Sequence, residues 1–539
     1  MLIFEAINIK KYYGDQLILS FDSFKIHSGN KIGIVGQNGA GKTTLLNILA
    51  GETDPNEGIV RRLCQFAYIR QFSDENIEAN TQILKEFGII NQIDHQIVSG
   101  GEFTRLKVAE ALSRNSILLF ADEPTSNLDY EGIDLVKNKL LEVDTLLLVS
   151  HDRDLLDTLC NKIVEIKYGK LFFYNGNYSS YQKQKQMETE REWREYEQYK
   201  TEKIKLEKVF EKKIIEAANI AKKPKNPTRI CSDTPCARSR GSSQKNMERA
   251  AKAVLSRIKR LNVKQKPKEL LSINLDFSLT DPPQNKIVIS CKDLSFSYNK
   301  NVIFNNASFK VYNGEKIALL GNNGTGKTTL LNLINNLDQR IYLVPKLAIG
   351  YFHQDLKNLD YNKTVLENVM QDSIQSESII RTVLARLLIC GDNVYKKVEV
   401  LSGGERIKVS FAKIMLSKAN ILLLDEPTNY LDITSIRALQ NVLCDYDGTV
   451  LFVSHDKSFV DAIANRLLIL RNNQIHEFEG NLKKYEESIQ FTKNTNLETQ
   501  KLVLQIRLTK VVSKLSLRNA DKETLEKEYQ NILAQLKSL

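Results

Sequence analysis

Two stretches of the chain alternate apolar and polar positions with the period of a half-buried strand: IFEAINI from Ile3 and KIVISCKDLSFSY from Lys286. Each is followed by a β-branched and apolar run, KIGIV from Lys31 and KIALL from Lys316, that leads straight into a glycine-rich loop. Behind each loop, TTLLNILAG and TTLLNLINN have the composition of a helix. Further on, ILLFADE and TLLLVSH are matched later by ILLLDE and VLFVSH. Short apolar runs of this kind fill the centre of a parallel sheet. The alternation of strand and helix predicts an α/β fold present twice, with the loops gathered at the carboxyl edge of each sheet.

Between the copies, residues 180–220 form a polar run without glycine or proline. Ile204, Leu206, Val209, Phe210, Ile214 and Ile215 give it a partial apolar stripe. This predicts a helix of about 40 residues, roughly 60 Å long at ~1.5 Å per residue. Pro224, Pro227 and Pro235 then predict a turn or tip over 224–243, and a second helix returns over 245–262. A hairpin of that length cannot bury itself in either flanking domain and is expected to project. Past residue 482, Leu502, Ile506, Val511, Leu515, Leu525, Ile532 and Leu536 recur at helical spacing, as a helical extension would. The divisions that follow are 1–180, 181–284, 285–481 and 482–539.

Charge sharpens this picture. The chain carries +11 overall, yet residues 221–268 alone hold 15 Lys and Arg against Asp233 and Glu248. Basicity is therefore concentrated in the span between the copies, which favours a polyanionic partner there. No apolar run approaches the ~20 residues that span a bilayer, and the first residues lack a signal-peptide layout. A soluble, cytoplasmic chain is expected. Seven cysteines form no disulfide framework, and the spacing of Cys231 and Cys236 argues against zinc.

The loops carry chemistry. GQNGAGKTT from Gly36 and GNNGTGKTT from Gly321 both fit GxxxxGK[ST], at an offset of 285. In that pattern Gly36, Gly39 and Gly41, like Gly321, Gly324 and Gly326, let the backbone aim successive N–H groups at phosphate oxygens. Asn38, Asn323, Thr44 and Thr329 belong to the same cradles. Lys42 and Lys327 reach the outer phosphates, while Thr43 and Thr328 offer a hydroxyl to Mg²⁺. Asp122 and Asp425 end apolar strands, as metal-associated carboxylates do, and Glu123 and Glu426 follow where a base for water would stand. His151 and His455, in matching SHD contexts, are candidates to contact the terminal phosphate.

These motifs resemble the ATP-binding cassette superfamily. SGGE at Ser99, Gly100, Gly101 and Glu102, repeated at Ser402, Gly403, Gly404 and Glu405, is similar to its signature. Gln71 and Gln354 look like its Q-loop glutamines, with a place beside the metal. Tyr13 and Tyr298 resemble the aromatic that stacks on adenine, and SNLD and NYLD resemble D-loops. The resemblance implies that ATP lies between one phosphate loop and the other copy's signature, pairing Lys42 with Ser402–Glu405 and Lys327 with Ser99–Glu102. Both sites look complete, so two hydrolytic sites are expected in a monomer whose cassettes pair with each other.

Tandem cassettes, SGGE, DEPTNYLD and a charged helical linker together resemble the ABC-F group. That resemblance implies a bacterial ribosome as partner, with contacts to P-site tRNA and to ribosomal RNA near the exit site and the peptidyl-transferase centre. From Gln71 to Ser99 is 28 residues, against 48 from Gln354 to Ser402, so the first copy lacks room for the arm insertion of housekeeping members. With the extended tip and tail, this resembles the Vga- and VmlR-like antibiotic-resistance branch. Lincosamides, streptogramin A and pleuromutilins are the implied drugs. A housekeeping ABC-F translation factor is the alternative. A fused importer ATPase is disfavoured by the long basic linker, and a repair ATPase by the two intact cassettes.

Overall fold

The computed structural model describes residues 1–71, 81–89, 100–114, 116–221, 234–264, 266, 277–299, 301–353, 356–489 and 491, together with 504, 508, 527, 530 and 531. The expected apolar positions of the tail all lie outside the described residues. So do Ser99, Gln354 and residues 224–233 of the tip. The chain divides into two compact units, Met1–Tyr174 with Ser272–Leu539, and Asn175–Leu271.

The first unit contains two tandem cassettes. In the first, a six-stranded sheet runs in the order Phe66–Ile69, Leu118–Asp122, Thr145–Val149, Lys31–Gly36, Lys162–Lys167, Lys170–Asn175. The second repeats it as Ile349–Phe352, Ile421–Asp425, Thr449–Val453, Lys316–Leu320, Arg466–Arg471, Gln474–Glu479. All five residues of Leu118–Asp122, Thr145–Val149, Ile421–Asp425 and Thr449–Val453 are buried, as central parallel strands require. Parallel register aligns Asp122 with Val149, and Ile34 with Val149. The second sheet aligns Asp425 and Leu319 with Val453. The phosphate loop, the Asp-Glu pair and the SHD residues thus share one carboxyl edge. Strand order crosses over there, as at ligand sites of open α/β sheets.

A three-stranded antiparallel sheet accompanies each cassette: Leu2–Tyr13 between Gln16–His27 and Glu57–Arg62, and Ile287–Tyr298 between Asn301–Tyr312 and Ile341–Leu343. In the first cassette Phe120 fastens the two sheets together. Its ring lies 5.6 Å from Phe4, 5.1 Å from Phe66 and 6.2 Å from Tyr68. Truncation to alanine would cost about 3–5 kcal/mol. Leu423 and Ile289 occupy the matching places in the second cassette, whose seam is aliphatic. Ahead of its signature the second cassette also has helices Val365–Asp372 and Glu377–Arg386, where the first has Thr81–Glu86 among its described residues.

The second unit is a helical hairpin of Tyr178–Ala221 and Thr234–Arg260. Arg257 reaches Glu202 at 3.6 Å and Lys264 reaches Glu195 at 2.8 Å, so the two helices of the hairpin run antiparallel. Ala251 is buried within it. Residues 234–243, expected in the tip, are helical instead. Pro235 is compatible with this, because the first helical turn needs no proline N–H. No described helix is long and apolar enough to cross a membrane.

Candidate active sites at the cassette seam

Each phosphate loop closes onto its own lysine. Lys42 Nζ donates to the carbonyls of Gly36 (2.9 Å) and Gln37 (3.2 Å), and Lys327 Nζ to those of Gly321 (2.7 Å) and Asn322 (3.0 Å). Gly41 and Gly326 cap the following helices at φ 99°, and a Cβ on Gly326 would meet Ile303 at 2.3 Å. Only glycine fits there. Burial lowers the pKa of both lysines, against the pull of the neighbouring carboxylates. Thr43 and Thr328 begin the helices with exposed side chains, and Thr44 and Thr329 follow half-buried.

Beside the loops stand the acids. Burial raises Asp122 and Asp425, and hydrogen bonds to the Thr43 and Thr328 side chains oppose it. Asp122 Oδ2 is buried without a hydrogen-bond partner among the described residues. A bare buried oxygen next to a threonine hydroxyl suits a hard divalent cation that takes its remaining ligands from phosphate and water. Glu123 and Glu426 adopt left-handed backbone conformations, φ 50° and 48°. Their N–H groups donate to Val149 O (2.9 Å) and Val453 O (3.0 Å), which holds the strained turns. Burial pushes the Glu123 carboxyl upward and Glu426 to about 7.

The histidines face these glutamates. His151 Nε2 lies 3.4 Å from Glu123 Oε1 and His455 Nε2 3.3 Å from Glu426 Oε1. Burial, then the adjacent lysine, drives His151 to about 3 and His455 to about 4, so both rings are neutral at pH 7. Neutral rings can each donate one N–H to a phosphate oxygen.

The other half of each site comes from the opposite cassette. Asn38 N–H donates to Asp432 Oδ2 at 2.9 Å and its amide to Tyr430 O at 2.8 Å. A Cβ on signature Gly404 would stand 3.3 Å from Asn38 Nδ2. In mirror fashion, Asn323 N–H reaches Asp129 Oδ2 at 3.2 Å and its amide Asn127 O at 3.3 Å, while Gly101 lies against Asn127 O. Phosphate loop one therefore abuts signature two, and the reverse. Ser402 caps its helix in a box with Glu405, whose Oε2 accepts from Ser402 N (2.9 Å) and Oγ (2.7 Å). Gly100 and Gly403 open the signature helices and Glu102 lies exposed in the first.

Gln71 is exposed beyond Phe66–Ile69, and its carbonyl accepts from Lys107 Nζ at 2.9 Å. Tyr13 and Tyr298 are about half exposed, 54% and 55%, as ring faces offered to a planar ligand should be. Sequence reading reached Asp129 and Asp432 only as the last residues of the SNLD and NYLD D-loops and did not single out Tyr130, Arg105 or Lys408; all five line the seam. Their signal was the residue just before a helix, where aspartate is the preferred cap, and a cation one turn into each signature helix.

This fold with its paired phosphate loops defines a tandem-cassette ATPase. The ABC transporter family matches residues 19–126 and 304–429, and a second profile with that description matches 164–229. The chain is 34% identical to the erythromycin resistance ATP-binding protein MsrA of Staphylococcus epidermidis, over 88% of this chain and 98% of that one. It is 32% identical to the putative ATP-binding protein YdiF of Bacillus subtilis, over 93% and 84%. Identity to the ribosome protection protein VmlR of B. subtilis is 29%, over 87% of each. Among solved structures, RNase-L Inhibitor shares the fold at TM-score 0.58 and 20% identity, over 88% and 91%. The chain belongs to the ABC-F family of ATP-binding cassette proteins.

Proposed function

We propose that this ATPase binds the bacterial ribosome at the tRNA exit site and uses its interdomain hairpin to dislodge antibiotics of the lincosamide, streptogramin A or pleuromutilin type from the peptidyl-transferase centre. The carrying observation is the span 221–268, which lies in the sequence between the two cassettes and holds 15 basic residues against two acidic ones. Lys222, Lys223, Lys225, Arg229, Arg238 and Arg240 neutralise RNA phosphates. Relatives named for erythromycin resistance and ribosome protection support the same reading.

ATP binds with its adenine on Tyr13 or Tyr298 and its phosphates in the Gly36–Thr44 or Gly321–Thr329 cradle. The amides of Ser402–Glu405 close over the first site and those of Ser99–Glu102 over the second. Mg²⁺ would be held by Thr43, Asp122 and Gln71, or by Thr328, Asp425 and Gln354, and would supply charge neutralisation at the outer phosphates. Glu123 and Glu426 take a proton from the attacking water, and His151 and His455 donate to the terminal phosphate. Loss of that phosphate removes the contacts that hold signature against loop, so the cassettes part and the protein leaves the ribosome. The site of action is the cytoplasm.

Replacing Glu123 and Glu426 together by glutamine should keep ATP binding, abolish turnover and leave the protein co-sedimenting with ribosomes in ATP. A double variant that stays in the supernatant sinks the ribosome assignment. A second reading is a translation factor without a drug role, since similarity of the same order extends over most of the chain to YdiF, which is named only as a putative ATP-binding protein. Peptidyl-transfer assays with lincomycin, virginiamycin M and tiamulin separate the two: rescue supports the first, and its absence for every drug supports the second.

A further inference from the structure

Among the differences between the two sites is a tyrosine side chain that crosses the seam. Tyr130 opens helix Tyr130–Glu142, directly after the aspartate that accepts from Asn323. Its hydroxyl donates to the Ser454 carbonyl at 3.0 Å. Its ring meets the His455 imidazole edge-on, with centroids 5.5 Å apart and planes at 62°. Lys457 sits 5.9 Å from the same ring and pairs with Asp134, one turn along that helix, at 3.2 Å. Burial, with the charges of Glu426, Asp456, Glu486 and Asp152, holds the phenol far above its ordinary pKa, so it remains a donor.

His455 needs such a neighbour. Its Nδ1 has no hydrogen-bond partner among the described residues, so apart from the approach of Nε2 to Glu426 the ring is oriented by packing. His151 has the same bare Nδ1, yet among the described residues no aromatic ring packs on it. At the place matching Tyr130, the second cassette opens helix Ile433–Cys444 with a buried isoleucine. That side chain has no hydroxyl to offer Ser150.

We propose that Tyr130 is a positioning residue of the second site: from the first cassette it orients His455 and the Ser454 turn, so hydrolysis at Lys327–Glu426 depends on docking of the first cassette's D-loop more strongly than hydrolysis at Lys42–Glu123 does. This rests on the reading above that the Glu and His pairs act on ATP. The two sites are then complete but unequal.

The test isolates each site in the full chain. In Glu123→Gln, where only the second site turns over, Tyr130→Phe keeps the ring and loses the Ser454 bond. Its kcat should fall about fivefold, and Tyr130→Ile should lose roughly 10- to 30-fold, with KM for ATP within about twofold. In Glu426→Gln both substitutions should leave kcat within about twofold of that background. Equal losses in the two backgrounds, no loss in the first, or a change confined to KM would overturn the proposal. Isoleucine is tolerated at the matching place, and a thermal melt of Tyr130→Phe separates misfolding from mispositioning. Retained turnover in the Glu123→Gln, Glu426→Gln double variant removes the underlying reading, and this inference with it.

Discussion

The two nucleotide sites have the same parts but are joined at the seam with different strength. At the first, Asp432 takes Asn38 N–H at 2.9 Å on one oxygen, and Ser435 N–H (2.7 Å) and Thr434 Oγ1 (2.6 Å) on the other. At the second, Asp129 takes Asn323 N–H at 3.2 Å and Gly132 N–H at 3.0 Å. Burial would raise Asp432, yet its hydrogen bonds outweigh that and hold it at about 2. The polar clamp is thus stronger at the first site, whereas among the described residues the aromatic prop is seen at the second alone. The backbone repeat is shared by the two cassettes, and at the seam their side chains have diverged.

That contrast can be broken by removing the clamps one at a time. Asp432→Ala should weaken the first seam by about 2–3 kcal/mol, and Asp129→Ala the second by about 1–2 kcal/mol. ATP titrations of turnover, run with the other site silenced, read each loss separately. Equal shifts would erase the asymmetry.

A second contrast lies between the SHD aspartates. Asp152 caps Arg153–Leu159, accepting from Asp154 N–H (2.9 Å) and Leu155 N–H (3.1 Å), and Asp456 caps Lys457–Ile463. Burial pushes Asp152 up to about 6, helped by the charges of Asp456 and Asp154. Burial raises Asp456 as well, but Arg153 pulls it back. An acid whose folded pKa exceeds its unfolded value keeps a proton that the unfolded chain has already released, so stability falls as pH rises from about 4 to 6. Asn caps as well as Asp and carries no charge. Asp152→Asn should therefore flatten that slope and add about 1–2 kcal/mol at pH 7, in urea melts across pH 4–8. An unchanged slope would mean that Asp152 titrates normally.

Much of this was legible before any coordinates. The phosphate loops, Asp122, Glu123, Asp425, Glu426 and the SHD histidines announce themselves because chemistry demands those residue types at fixed distance from strand ends. Apolar runs such as TLLLV and TVLFV could only be central strands, and they are. Tyr130 was not legible, because a tyrosine after SNLD reads as an ordinary first helical residue until a second cassette is placed against it. The helical start at Thr234 was hidden by Pro235, which breaks a helix interior but is welcome in a first turn. Side-chain contacts across a seam depend on tertiary placement, and local pattern carries little of that.

The D-loop pair gives the finest comparison. Asn127 and Tyr430 occupy matching positions at nearly the same left-handed conformation, φ 62° and 61°. Asparagine tolerates that region because its short polar side chain compensates locally, whereas a tyrosine Cβ and ring pay the steric cost in full. The Tyr430 side chain is 69% exposed, so packing returns little. What the first seam uses is its backbone carbonyl, which accepts from Asn38 Nδ2 at 2.8 Å. Tyr430→Asn keeps that carbonyl in place and should stabilise the chain by about 0.5–1 kcal/mol, while Asn127→Tyr should cost about as much. Chemical denaturation of the two variants checks both signs at once. If Tyr430→Asn destabilises instead, the exposed ring makes a contribution that outweighs its backbone strain, and the two D-loops are not equivalent turns.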